Sequence, residues 1–198
     1  MPVELSRNLL IAIEGLDGTG KSTVACLLAK RLNGVVYATP PPEFVPIRKA
    51  LDSSRSLSAR FYYYLSSVCY AGAEASGLRE HSHVILDRYV SSTIACHKAL
   101  GLHIDIDATS LDLPVPDFTF LLTAPNERER RRRIRSRAIC SSSDRRVDEP
   151  AIRAAMMREF RRFGFPEIDT TNITAHQVVD TIICQIGLTN QVVLRAPS

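Results

Sequence analysis

Residues 11–23 decide the fold of this chain, and they read Ile11-Ala12-Ile13-Glu14-Gly15-Leu16-Asp17-Gly18-Thr19-Gly20-Lys21-Ser22-Thr23. The apolar start of this stretch predicts a buried strand. Its end leads into a predicted helix, because the next apolar residues keep helical spacing: Val24, Leu27, Leu28 and Leu32. Between them lies the pattern Gly-x-x-x-x-Gly-Lys-Ser, and a strand before it with a helix after it is the context that makes this pattern specific.

The glycine-rich loop has the composition of a phosphate-binding site. Glycines let the backbone bend so that its N–H groups point at a phosphate, and the N-terminus of the following helix attracts the same anion. Lys21 is suited to neutralising terminal phosphate oxygens, and the Ser22 hydroxyl is suited to holding Mg²⁺. We therefore expect the loop to bind ATP through Gly15, Leu16, Asp17, Gly18, Thr19, Gly20, Lys21, Ser22 and Thr23. The structural alternative is a glycine turn without a ligand.

Length and composition predict one globular domain over residues 1–198. A hydrophobic fraction of 45% and a charged fraction of 23% are ordinary for such a domain and exclude disordered and fibrous classes. The net charge of +4 is mild and suits the handling of anionic small molecules. No apolar run is long enough to span a bilayer, so we expect no membrane partner and a cytoplasmic location. The five cysteines show no metal-ligand spacing.

Strand and helix patterns alternate along the chain. Strands are predicted at 11–13, 34–38, 83–86, 118–122 and 165–168. Helices are predicted at 24–32, 43–51, 57–78, from 126, from 150, and at 175–186. This alternation favours a three-layer α/β fold in which helices flank a five-stranded parallel sheet on both faces.

Two further charged residues follow the third predicted strand. Asp87 ends that strand, where ligands collect in open α/β sheets, and its carboxylate could join Ser22 in holding Mg²⁺. Arg88 could clamp a phosphate through two parallel hydrogen bonds. The alternative for this pair is a strand-end salt bridge. Asp17 is an unfavourable neighbour for phosphate, so a sugar hydroxyl of an acceptor is its expected partner.

Arginines dominate residues 127–146. Part of this run reads as a solvated helix, because Glu127 with Arg131 and Glu129 with Arg133 are favourable pairs four residues apart. Beyond it we expect an arginine-rich lid over residues 135–149 that folds over a polyphosphate. We assign catalytic roles to its arginines and to three residues already described: Arg135, Arg137, Arg145, Lys21, Asp87 and Arg88. The basic residues lack interleaved aromatics, so nucleic-acid binding is not favoured.

In these motifs the chain resembles the thymidylate kinase family. The resemblance rests on the loop, on Asp87-Arg88-Tyr89 with Ser91-Ser92, on Pro116-Asp117, on the lid and on Ile168-Asp169-Thr170-Thr171. It implies a P-loop NTPase fold, ATP with Mg²⁺ as the donor, a nucleoside monophosphate such as thymidylate as the acceptor, and a homodimer. It also implies that Asp17 holds the acceptor's 3′-hydroxyl and that Arg88 holds its phosphate.

The chain departs from the family pattern on the acceptor side. Family members carry Arg-Glu-Pro-Gly-Gly-Thr where this chain has residues 39–43, and Arg48 is the candidate to replace the missing arginine. Tyr63 is the predicted stacking residue, with Ser67 where the family has a base-reading arginine, and Cys96 stands where a tyrosine crowds the sugar's 2′ position. The expected acceptor site is therefore Asp17, Glu43, Arg48, Tyr63, Ser67, Arg88, Ser92 and Cys96.

A nucleoside kinase is the alternative function. It would phosphorylate a sugar hydroxyl instead of a monophosphate, with Glu43 as the general base. The absence of the usual phosphate-binding arginine near residue 40 motivates this alternative.

Overall fold

The computed structural model describes residues 7–104, 106, 111–136 and 145–187, apart from the side chains of residues 145 and 146. Its five strands are β1 (Leu10–Gly15), β2 (Val35–Ala38), β3 (Val84–Asp87), β4 (Phe118–Thr123) and β5 (Glu167–Asp169). They pair in parallel in the order β2-β3-β1-β4-β5, which confirms the predicted five-stranded parallel sheet. Strand β3 begins and ends one residue later than predicted, and β5 is displaced from its prediction by about half its length.

Seven α-helices connect the strands within the described residues. They are α1 (Lys21–Leu32), α2 (Val45–Asp52), α3 (Leu57–Arg79), α4 (Val90–Ala99), α5 (Glu127–Arg135), α6 (Pro150–Arg161) and α7 (Ala175–Gln185). Short 3₁₀ turns precede α2 at Pro42–Phe44 and α6 at Arg145–Asp148. None of the helices in the described part of the chain is long and apolar enough to cross a membrane.

Alternate residues of β1 divide the core into two layers. Ile11 and Ile13 pack with α1 and α7 on one face of the sheet. Leu10 and Ala12 pack with α3 on the other face, where α4 and α6 form an adjoining cluster around Phe160. Because β1 is fully buried on both faces, its sequence is continuously apolar except for Glu14.

Helix α4 was missed by the sequence reading. Its buried positions include four polar side chains, Ser91, Ser92, Thr93 and His97. A helix that buries polar residues lacks the apolar stripe on which periodicity depends, so the pattern gave no signal.

The pairing of β1 with β3 and β4 brings the predicted site to one edge of the sheet. Ile13 lies beside Asp87 of β3, and Gly15 lies beside Leu122 of β4. The glycine-rich loop and Asp87 therefore leave the sheet at the same carboxyl edge, as expected for parallel strands.

Asp117 stabilises the opposite edge of the sheet, where β1 begins. One carboxylate oxygen, Oδ2, accepts hydrogen bonds from the Leu10 backbone N–H at 2.8 Å and from Arg79 Nη2 at 2.6 Å. Oδ1 accepts from Arg7 Nη2 at 2.7 Å. A single carboxylate thus joins the start of β1, the end of α3 and the entry to β4.

We predict that Asp117→Ala lowers the free energy of unfolding by about 2–4 kcal/mol, because it leaves a buried β1 N–H and a half-buried guanidinium without their acceptor. Urea denaturation measures this loss. The control is Asp180→Ala, which removes an exposed pair with Arg31 at 3.6 Å and should cost less than about 0.5 kcal/mol. Equal losses in the two variants would contradict the role given to Asp117.

Candidate active site

The glycine-rich loop is shaped by close backbone approaches. Gly15 has φ 136°, and a Cβ at this position would lie 2.2 Å from the Leu122 carbonyl oxygen. Gly18 has φ 85°, and its Cβ would lie 2.8 Å from Cγ of Arg130. Side chains are excluded at both positions by conformation and by space. The first turn of α1 contains no acidic residue, so its positive end is left for an anion.

Lys21 is the buried cation of the loop. It is 3% exposed, and its Nζ donates a hydrogen bond to the Leu16 carbonyl at 2.7 Å. Burial, together with the positive charge of Arg88, lowers the pKa of Lys21 to about 7, although Asp17 and Asp87 oppose that shift. An anion placed beside Lys21 would favour its charged form.

A cavity of about 900 Å³ opens beside the loop. On the loop side it is lined by six of the predicted residues: Leu16, Asp17, Lys21, Ser22, Asp87 and Arg88. On the far side it is lined by four of the predicted acceptor residues: Arg48, Ser67, Ser92 and Cys96. One continuous cavity therefore joins the phosphate-binding loop to the predicted acceptor wall.

Two predicted acceptor residues, Glu43 and Tyr63, lie outside the lining of this cavity. Tyr63 is 6% exposed, and its hydroxyl donates to the Phe44 carbonyl at 2.7 Å. The neighbouring Tyr64 lines the cavity instead, together with Val68 one turn later. The role of Tyr63 stays a prediction, but Tyr64 is the tyrosine of this helix that lines the cavity, and three consecutive tyrosines offer no periodicity that selects one of them.

Ser22 and Asp87 suit a hard divalent cation. The Oδ1 atom of Asp87 is buried and has no hydrogen-bond partner among the described residues. Both side chains supply oxygen, the ligand type that Mg²⁺ prefers. No group of three or more His, Cys, Asp or Glu side chains in the described ranges could hold a metal alone. Mg²⁺ at Ser22 and Asp87 would thus depend on phosphate oxygens for its remaining ligands.

Arg88 crosses from β3 to the loop. It has φ 73°, a left-handed conformation that is costly for a residue with a side chain. Its Nη2 is paired with the Asp17 carboxylate, and its Nη1 donates to the Gly15 carbonyl at 3.0 Å and to the Ser92 hydroxyl at 3.3 Å. A strand-end salt bridge, the structural alternative considered for Asp87 and Arg88, is present for Arg88, and its partner is Asp17.

Glu14 is a functional residue that the sequence reading missed. It is fully buried, and its carboxylate accepts hydrogen bonds from the Tyr89 N–H at 2.9 Å, from the Ser92 N–H at 3.3 Å and from the hydroxyls of Ser91 and Ser92. Burial raises the pKa of Glu14, and these hydroxyls with Arg88 oppose the rise. The sequence does contain a signal for this residue, because Glu14 is the one acidic residue within the apolar strand β1.

Helix α5 holds the loop from outside. Arg130, which is 2% exposed, donates from Nη1 to the Asp17 carbonyl at 2.8 Å and is anchored by Glu127 at 2.8 Å and Asp148 at 3.0 Å. Its aliphatic stem covers Gly18. Reading the first half of this helix as merely solvated was therefore wrong for Arg130.

Arg133 holds the opposite side of the loop through Thr170. Its Nη1 lies 3.0 Å from the Thr170 hydroxyl, which donates to the Thr19 carbonyl at 3.0 Å. The predicted pairs of Glu127 with Arg131, at 2.6 Å, and of Glu129 with Arg133, at 2.8 Å, are confirmed. Arg133 thus combines a surface ion pair with a contact that reaches the loop.

The predicted lid is covered only in part by the structure. Arg135 is exposed at the end of α5. Arg137 lies outside the described residues, as does the rest of 138–144, and of Arg145 only the backbone is described. Near the end of the lid, Val147 and Asp148 line the cavity. The catalytic roles of Arg135, Arg137 and Arg145 stay predictions.

The fold and the site together define a class. A parallel sheet, a glycine-rich loop leading into a helix, a buried lysine and an acid on the neighbouring strand are the elements of a P-loop NTPase fold. The model of the thymidylate kinase family matches residues 13–182. The chain belongs to the thymidylate kinase family.

Individual sequence relatives match shorter parts of the chain than the family model does. A probable thymidylate kinase of Methanococcus aeolicus is 33% identical over 110 residues, which cover 52% of this chain and 54% of that protein. Human mitochondrial UMP-CMP kinase 2 is 38% identical over 58 residues, covering 29% of this chain and 13% of that protein. The matches to the archaeal relative thus span about half its length. Thymidylate kinase of Candida albicans has the same fold, with a TM-score of 0.72 and 23% identity over 94% of this chain and 93% of that one.

We predict that Arg130→Leu loosens the loop without unfolding the protein, since it removes the hydrogen bond to the Asp17 carbonyl while the leucine Cγ still covers Gly18. Amide hydrogen exchange in residues 15–21 should accelerate about tenfold. Arg131→Leu is the matched control, because Arg131 also binds Glu127 but is half-exposed and does not reach the loop. The same acceleration in both variants would show that the effect comes from Glu127 alone.

Proposed function

We propose that this protein transfers the terminal phosphoryl group of ATP to the 5′-phosphate of a pyrimidine nucleoside monophosphate, thymidylate or a related nucleotide. The observation that carries the proposal is the single cavity of about 900 Å³ that has Lys21 and Ser22 at one side and Arg48 and Ser92 at the other. Its volume suits two bound substrates that meet between Asp87 and Arg88. Membership of the thymidylate kinase family supports the same reaction.

On the donor side, the loop N–H groups and the N-terminus of α1 would bind the phosphates of ATP. Lys21 would exchange its hydrogen bond to the Leu16 carbonyl for one to a phosphate oxygen. Ser22 and Asp87 would hold Mg²⁺, which neutralises phosphate charge when bound. Arg130 and Arg133 would act indirectly, by keeping the loop in its phosphate-binding shape.

On the acceptor side, Arg48, Arg60 and Arg88 are cations that line the cavity, and we assign the monophosphate to Arg48 and Arg88. Asp17, already bonded to Arg88, lies where it could accept a hydrogen bond from the 3′-hydroxyl. Tyr64 replaces Tyr63 as the ring on which the base would stack. The half-buried Cys96 would leave room at the sugar's 2′ position, which supports acceptance of ribose as well as deoxyribose.

The base-reading position favours a wider acceptor range than thymidylate alone. Ser67, where the resemblance places the family's base-reading arginine, lines the cavity, and so does the apolar Val68, four positions after Tyr64. An apolar side chain does not select the carbonyl of thymine by hydrogen bonding. The relatives support this breadth, because one is a UMP-CMP kinase and the thymidylate kinase of Candida albicans is described as having broad substrate specificity.

The nucleoside kinase alternative is less well supported. It needs a general base close to the sugar hydroxyl, and Glu43, its candidate, is absent from the cavity lining. Arg48 and Arg88 both favour an acceptor that already carries a phosphate. A homodimer and a cytoplasmic location stay predictions from the sequence.

The proposed function predicts ADP release when the protein and Mg-ATP meet thymidylate, UMP or CMP, and little release with the corresponding nucleosides. Lys21→Ala should lower the rate at least about a hundredfold by removing a cation from the transferring phosphate. Lys30→Ala, an exposed substitution at the other end of α1, is the matched control and should keep the wild-type rate. Transfer to nucleosides only would establish the alternative, and transfer to none of these acceptors would overturn both.

Proton uptake on ATP binding is a second prediction. With a pKa of about 7, Lys21 is largely neutral at pH 8, and the phosphates of ATP would restore its charge. Binding at pH 8 should therefore take up close to one proton, and binding at pH 6, where Lys21 is already charged, should take up none. Calorimetry in two buffers of different ionisation enthalpy measures the difference. Equal uptake at the two pH values would show that Lys21 does not titrate on binding.

A further inference from the structure

Three side chains on the acceptor wall are bonded to one another. The Tyr64 hydroxyl donates to Asp52 Oδ1 at 2.7 Å, and Arg48 Nε donates both to Asp52 Oδ2 at 3.3 Å and to the Tyr64 oxygen at 3.2 Å. All three line the cavity, Arg48 and Asp52 from α2 and Tyr64 from α3. We call them the Arg48–Asp52–Tyr64 cluster.

The cluster leaves the outer part of the Arg48 guanidinium available. Only Nε is used, and neither Nη group donates a hydrogen bond to a described residue. Arg88 is different, because both of its Nη groups are engaged by Asp17, Gly15 and Ser92. A guanidinium held through Nε presents its two Nη groups as a fork, which is the arrangement that binds a phosphate through two hydrogen bonds.

Helix α2 has little else to hold it in place. None of its residues is buried, and Val45 and Ile47 are more than half exposed. Two tyrosine hydroxyls of α3 tie the ends of this segment: Tyr63 binds the Phe44 carbonyl before α2, and Tyr64 binds Asp52 at its end. Of these two hydrogen bonds, only the one between Tyr64 and Asp52 belongs to the cluster that includes Arg48.

We propose that Asp52 is a positioning residue, which aims Arg48 at the acceptor's phosphate and couples that arginine to the ring of Tyr64 beneath the base. This inference rests on the proposed function, because it assigns the Nη groups of Arg48 to a monophosphate. Asp52 itself does not contact the acceptor. Its effect reaches the acceptor through Arg48, with Tyr64 as the link that makes base stacking and phosphate binding depend on one cluster.

The test is equilibrium binding of thymidylate, UMP and CMP, measured by calorimetry without ATP, alongside the matching nucleosides. Asp52→Asn keeps the size of the side chain but sets an N–H group against Arg48 Nε or the Tyr64 hydroxyl. It should weaken monophosphate binding about tenfold and nucleoside binding less than about threefold. In an Arg48→Ala background the same substitution should weaken monophosphate binding no further than about twofold, because the group it positions is gone.

Tyr64→Phe and Tyr63→Phe form a matched pair, since each removes one hydroxyl that ties α2 to α3. Tyr64→Phe should weaken monophosphate binding by about threefold or more, and Tyr63→Phe by less than about twofold. Thermal unfolding of each variant reports any loss of α2 packing. Equal effects of the two substitutions, or a full effect of Asp52→Asn without Arg48, would show that the cluster is only structural and would overturn the proposal.

The binding measurement also separates this inference from the proposed function. If the wild-type protein binds a monophosphate but does not phosphorylate it, only the proposed function fails, and the variants still decide the role of Asp52. If the wild-type protein binds none of the three monophosphates, both are overturned.

Discussion

The buried carboxylate of Glu14 is the constraint on which the site depends. A carboxylate removed from water is costly unless hydrogen bonds replace its hydration, and Glu14 obtains them from the first residues of α4. That requirement fixes the start of α4 against the end of β1. Arg88 immediately precedes this junction, so its left-handed backbone and its reach to the loop follow from where α4 must begin. Glu14 thus helps to determine where Arg88 and the first residues of α4 lie at the edge of the site.

The donor half of the site is held mainly by backbone geometry. Gly15 passes so close to the Leu122 carbonyl that no side chain fits, and Arg130 and Thr170 bind loop carbonyls from the two sides. In these contacts side chains donate hydrogen bonds to loop carbonyl groups, so the loop N–H groups stay available to bind an anion. The charge of Arg130 is balanced by ion pairs with Glu127 and Asp148.

How far the sequence predicts this structure depends on whether a residue's role is local. The five strands and the positions of the loop and of Asp87 at the end of β3 are predicted correctly, because their signals are short patterns of apolar residues, glycines and strand ends. The sequence analysis does not predict helix α4 or the loop contacts of Arg130 and Arg133. These features depend on packing against segments that are distant in the sequence, and neither an arginine run nor a polar helix indicates such packing. The sequence also does not decide between Tyr63 and Tyr64: a helix turns about 100° per residue, so neighbouring rings point in different directions, and only Tyr64 lines the cavity.

The two halves of the site therefore tolerate change differently. A side chain at Gly15 would meet the Leu122 backbone, which cannot move without disturbing the pairing of β1 with β4, so the start of the loop has few alternatives. The acceptor wall is built from side chains of α2, α3 and α4, and α2 is attached to α3 largely through tyrosine hydroxyls and one aromatic residue, Phe44. A cation on this wall, such as Arg48, is carried by α2 and not by the sheet or the loop. A family can keep its phosphoryl donor and vary its acceptor because the constraints on the two sides have different physical origins.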